Sequence, residues 1–196
     1  EFFSRLFKRP SAPSNVRPHT GQVGTEPGES EGELCIAAGA GLAAGGGVAI
    51  GFAIGNEFSD HVMERQNYLY LAPSKLRDCA IGPELIIDAD FDSITGRVSI
   101  ERKGETIWSK EIASGNENTC HSLANMEHHH FKYASHRRPG DLHLHFFGAD
   151  AFSFGEGVSL ENGDIMVVSW EGMGRPLRNP LRILDEPDSL IEVVSI

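Results

Sequence analysis

Cysteine is scarce in this chain: 196 residues contain three, Cys35, Cys79 and Cys120, and none of them forms a CxxC pair. That spacing excludes a zinc ribbon and gives no basis for a disulfide framework, so a reducing, cytoplasmic setting is expected. Basic residues are also in deficit, 17 Lys and Arg against 28 Asp and Glu, for a formal charge of -11. Nucleic-acid binders normally present a basic face, and this composition argues against that class. The first residue is Glu1 rather than methionine, which leads us to expect a fragment or a processed chain.

One long run, 34–55, has no charge at all (LCIAAGAGLAAGGGVAIGFAIG). Its length would suffice for a membrane helix of roughly 20 residues. Its glycine content, its lack of Trp and Tyr, and the absence of flanking basic clusters argue against one. Two buried strands, about 34–39 and 48–54, joined by a glycine-rich turn, account for it better. The Gly39-Ala40-Gly41-Leu42-Ala43-Ala44 segment fits the dinucleotide pattern GxGxxA, but that motif must open a helix, and Gly45, Gly46 and Gly47 disfavour one.

What remains is the composition of a folded domain, 40% hydrophobic and 23% charged. Residues 1–30, rich in Pro, Gly, Ser and Thr after a short apolar-basic start, are expected to form a flexible flap, with a β-rich domain over 31–196. Ser59 or Asp60 can cap a short helix to about Asn67. The segment RVSIERKGETIWSKEI predicts a hairpin around Lys103-Gly104. An amphipathic helix is predicted over 119–135, with Leu123, Met126, His130 and Phe131 toward one side. Short strands follow in DLHLHFFG and DIMVVSWEG. The sum is strand-rich α+β rather than alternating βαβ.

The chemistry-bearing residues cluster at strand ends. Glu31 and Glu33 stand two apart and so share a face of their strand, and Glu57 ends the next apolar strand. Should those strands be neighbours, three carboxylates converge. Such an oxygen set suits a hard divalent ion, magnesium or alternatively manganese or calcium, and not zinc. His128, His129 and His130 fan apart by roughly 100° each on a helix and cannot converge on a metal by themselves. His143 and His145 alternate on a strand and share a face, which suits a pocket mouth or an oligomer contact.

These residues fall into an ordered set that resembles the fumarylacetoacetate hydrolase superfamily, with the closest likeness to its 2-keto-3-deoxy-sugar-acid (arabinonate) dehydratase-like branch. The set comprises Glu31/Glu33, Asn56-Glu57-Phe58-Ser59, Lys75, Gly82-Pro83, Pro139-Gly140-Asp141 and Gly172-Met173-Gly174 with Leu177-Arg178-Asn179-Pro180. FKRPSAP near the start is similar to the aromatic-Lys-Pro phrase of that family's catalytic domain. The resemblance implies a mixed β-roll with short helices and no family N-terminal domain in this chain. It implies Glu31, Glu33 and Glu57 as ligands to Mg2+, and Lys75 as a catalytic residue beside the substrate. Ser59, Gly148 and Ala149 would join Lys75 in holding a small 2-oxo acid. His61 stands where hydrolase members have arginine and is a second catalytic candidate. The implied activity is dehydration of a 2-keto-3-deoxy sugar acid by a cytoplasmic homodimer that engages neither membrane nor nucleic acid. Acylpyruvate hydrolysis or oxaloacetate decarboxylation would share the metal, and a non-catalytic scaffold would not use it.

Overall fold

The uncharged run folds as a pair of long antiparallel strands, β2 (Glu29–Ala40) and β3 (Gly47–Ser59), paired from Glu29↔Ser59 to Ala40↔Gly47 with one bulge between Ala37 and Ala38. The computed structural model describes residues 5–7, 29–40, 47–82, 84–87, 89–147, 151–183 and 192–194, with the backbone alone for 5–7, 29–40 and 47–48. Both strands outrun the apolar stretches that signalled them. The hydrogen-bond ladder is indifferent to side-chain polarity and continues through the acidic ends.

β3 is buried from Gly51 to Ser59, with apolar and small residues on both of its faces over 51–55. β7 (Leu142–Phe147) pairs with the other edge of β2, and β4 (Cys79–Ile81) with the end of β3. Within the segment expected to be loop, β1 (Arg5–Phe7) pairs with β7; residues 8–28 of that segment lie outside the described residues. The order is β1-β7-β2-β3-β4.

A second sheet is built on the predicted hairpin, β5 (Ile94–Arg102) and β6 (Glu105–Ser114). Its two-residue turn has φ of 52° at Lys103 and 87° at Gly104, the mirror-image geometry that matches strand twist and that glycine adopts without strain. β8 (Ile165–Trp170) and β9 (Leu177–Pro180) complete the order β6-β5-β8-β9. Apolar residues at alternate positions close the space between the sheets: Phe52 and Ile54 from β3, Phe147 from β7, Val98 and Ile112 from the hairpin, and Val168 and Trp170 from β8.

Helices are short. α1 (His61–Gln66) and α2 (Leu71–Ser74) follow β3, and α3 (Leu123–Phe131) lies in the connection from β6 to β7. α3 is shorter than the predicted 119–135, because the Ser122 side chain accepts from the Asn125 amide and starts the helix there. Leu123, Met126 and Phe131 pack on the core as expected. Among the described residues no helix is long and apolar enough to cross a membrane.

Candidate active site

Strand parity separates the two faces of β3. Phe52, Ile54 and Phe58 pack into the apolar clusters on the side of the second sheet, and Asn56 shares their face. Glu57 and Ser59 therefore belong to the other face. The register sets Glu31 directly across from Glu57, and Glu33 across from Gly55 one step along. Directly opposed residues share a face, with Cβ atoms about 4.5–5.5 Å apart. The three sequence-predicted acids thus occupy adjacent positions on one face at the end of two paired strands. Cys79 of β4 is paired with Glu57 from the other side.

Glu57 is 5% exposed. Burial pushes its carboxyl above the ordinary glutamate range, and the nearby Lys75 ammonium only partly offsets this. Lys75 reaches this carboxylate from the far end of a local excursion. The chain leaves β3 at Ser59, runs through α1, a turn at Tyr68–Tyr70 and α2, and returns so that Lys75 Nζ lies 3.3 Å from Glu57 Oε2. The same ammonium donates to Ser59 Oγ. Lys75, Ser59 and Glu57 are brought together.

A buried carboxylate held above its usual pKa by desolvation is a group that a cation stabilises in its charged form. With Glu31 and Glu33 at neighbouring register positions, the donor set is all oxygen and fits a hard divalent ion. Among the residues whose side chains are described, no three His, Cys, Asp or Glu are grouped to hold a metal.

No family model matches the sequence. The probable 2-keto-3-deoxyxylonate dehydratase of Haloferax volcanii is 26% identical over 133 residues, covering 65% of this chain and 44% of that protein. A solved 2-keto-3-deoxy-D-arabinonate dehydratase, complexed with magnesium and 2,5-dioxopentanoate, superposes with a TM-score of 0.68 at 18% identity, over 84% of this chain and 57% of that one. The 5-carboxymethyl-2-hydroxymuconate delta-isomerase of Mycobacterium smegmatis gives 0.57 at 21% identity, over 86% and 65%. The chain has the fumarylacetoacetate hydrolase-like fold. It spans about half the length of the dehydratases it resembles.

Two further phrases of the fumarylacetoacetate hydrolase-like pattern meet in space. Gly172 and Gly174 take φ of 73° and 81°, turning the chain into β9, and a Cβ on Gly174 would lie 2.1 Å from Glu84 Oε2. β9 then presents Asn179, whose Oδ1 accepts from Asn56 Nδ2 at 3.2 Å. The motif at the end of the chain thus braces the strand that carries Glu57, from behind.

His61 is buried at the first position of α1, with Nδ1 3.2 Å from Glu64 Oε2 and its ring 4.6 Å from Phe152 and 5.8 Å from Phe154. Those contacts dock α1 on the 151–156 segment. Gly148 and Ala149 lie outside the described residues. His143 and His145 share a face as predicted, but the register through Ile36 and Phe52 puts that face opposite Glu57. They are buried beneath α3 with His130 and His136, so the pocket-mouth and oligomer readings are corrected: an inward strand face covered by a helix lines neither. Sequence reading missed Arg77, which pairs with Asp60, and Cys79. The sequence marks Asp60 only as a cap, and nothing in the spacing of Arg77 or Cys79 announces their partners Asp60 and Glu57.

Proposed function

We propose that this chain serves magnesium-dependent dehydration of a 2-keto-3-deoxy sugar acid. The observation that supports this most is the pairing of Glu31 with Glu57 across β2 and β3, with Lys75 at 3.3 Å from the same carboxylate. Glu31, Glu33 and Glu57 would hold the ion. When bound, magnesium supplies positive charge to the carboxylate and oxo oxygens of a 2-oxo acid, which eases loss of a proton from the adjacent carbon.

The chain's own residues divide the remaining work. Lys75 stands over the same face as the acids, where its amine can take the proton from that carbon and its ammonium can give one to the departing hydroxyl. One water is lost in balance. Ser59 Oγ, as the acceptor from Lys75 Nζ, directs the ammonium toward Glu57. The burial of Glu57 keeps bulk water from its carboxylate. Ser59 and Lys75, with Gly148 and Ala149, are assigned to the substrate. His61, the second catalytic candidate, is held at the start of α1 by Glu64, Phe152 and Phe154.

The 2-keto-3-deoxy pentonates are the substrates of first choice, since the dehydratases that share the fold act on acids of that kind. Incubating them with magnesium-loaded protein and following semialdehyde formation tests the assignment. Absence of turnover by folded, metal-loaded protein defeats it. A homodimeric, cytoplasmic enzyme completes the reading, and light scattering that finds a monomer would remove the first of those two.

A further inference from the structure

We propose that Asp60 and Arg77 form a latch whose role is to position Lys75; the proposal rests on the assignment of Lys75 to the active site. The excursion from Ser59 to Lys75 has little core of its own. Residues 65–70 and Ala72 are exposed, with Tyr68 at 70% and Leu69 at 79%, and Leu76 just beyond at 78%. α1 and α2 bury only His61 and Ser74. Apolar burial alone therefore gives weak control over where the returning chain places a lysine, whose ammonium rides on a flexible four-carbon stem.

Polar links to one residue supply that control. The Asp60 amide donates to Ser74 O at 3.0 Å, and Asp60 Oδ1 accepts from the Met63 amide at 2.9 Å. Asp60 Oδ2 meets the Arg77 guanidinium, whose other terminal nitrogen donates to Leu76 O at 3.0 Å. The residue before Lys75 and the residue two after it are thus both tied to Asp60, while Lys75 itself is tied to Ser59. Asp60 is 2% exposed and the Arg77 side chain 17%. A buried pair of this kind is costly to break from one side, because the remaining charge stays buried alone. Helix capping needs only an oxygen acceptor, so a charged pair exceeds what the cap of a six-residue helix requires.

The test is the reactivity of Lys75 toward acetic anhydride, read site by site by mass spectrometry, with exposed Lys103, Lys110 and Lys132 as internal references. Wild-type Lys75 should react several-fold more slowly than the references; equal rates overturn the latch. In Asp60→Asn, which keeps the acceptor for the Met63 amide, and in Arg77→Met, Lys75 alone should speed up several-fold, with Arg77→Lys restoring part of the protection. Unchanged protection in variants that fold, by circular dichroism, overturns it too. Should a variant unfold, the wild-type comparison still decides. Turnover of the pentonates should fall about 10- to 100-fold in the same two variants, in line with losses for groups that orient a reacting residue. Labelling needs neither substrate nor metal, so an inactive wild-type enzyme would defeat the proposed function while leaving the latch to stand or fall on Lys75 reactivity.

Discussion

Asn56 and Asn179, 123 positions apart, are joined side chain to side chain at 3.2 Å in the interior. Asn56 immediately precedes Glu57 on β3 and faces the other way, so this bond anchors the back of the strand whose front carries the carboxylate. It also links the two sheets. A small cleft of about 20 Å³ beside it is lined by Phe58, Cys79, Met166 and Leu181 among others.

Asn179→Leu should therefore leave a buried amide without its acceptor and cost about 1–3 kcal/mol. Urea denaturation reads this as a lower midpoint with an unchanged slope. An unchanged midpoint would mean that the bond is replaceable.

The three acids should act as a set. Glu31→Gln, Glu33→Gln and Glu57→Gln should each weaken magnesium binding by about tenfold or more, which is about 1.4 kcal/mol. Isothermal calorimetry of the folded variants measures this directly. Equal affinity in any one of them removes that residue from the site.

Acid stability should depend on Asp164, immediately before β8. Its burial pushes the carboxyl up, but two hydrogen bonds from Arg102, at 2.8 Å each, and the Glu161 amide outweigh that and hold it below the ordinary 3.8. A depressed carboxylate contributes its full stability above its unfolded value and loses it as pH falls through the folded one. Stability should thus decline below about pH 4, and Arg102→Met should flatten that acid limb. Thermal midpoints of both proteins across pH 2–6 provide the check.

Gly96 should tolerate no side chain. It pairs with Trp170, and a Cβ there would lie 2.4 Å from Ser169 O and 2.7 Å from the Trp170 ring. Gly96→Ala should cost about 1–3 kcal/mol through overpacking. Differential scanning calorimetry should show a lowered midpoint, and a wild-type value would contradict the β5–β8 register.

Much of the local structure was legible in the chain itself. Lys103-Gly104 marked its turn because glycine adopts positive φ without strain, and Asp60 marked a helix start because a carboxylate can accept from the Met63 amide. Alternation marked β7. The candidate site was half legible: Glu31 and Glu33 share a face by strand period alone, whereas their register positions beside Glu57 depended on strand pairing.

Histidine shows the limit in the other direction. His143 and His145 alternate as site residues would, yet burial of Phe52 and Ile54 against the second sheet commits that face to the interior, with α3 above it. Parity identifies which residues travel together and is silent on which face is the site.

Residue order alone determined the turns, the caps, the strand periodicity and the oxygen-rich character of the candidate metal set, because each depends on neighbours within a few positions. The tertiary structure alone decided that Glu31 stands opposite Glu57, that Lys75 returns to both Glu57 and Ser59, and that Arg77 closes on Asp60. Those contacts join segments with no local preference for one another. They are selected together by the one register that buries the apolar faces of both sheets while leaving the acids on the opposite side.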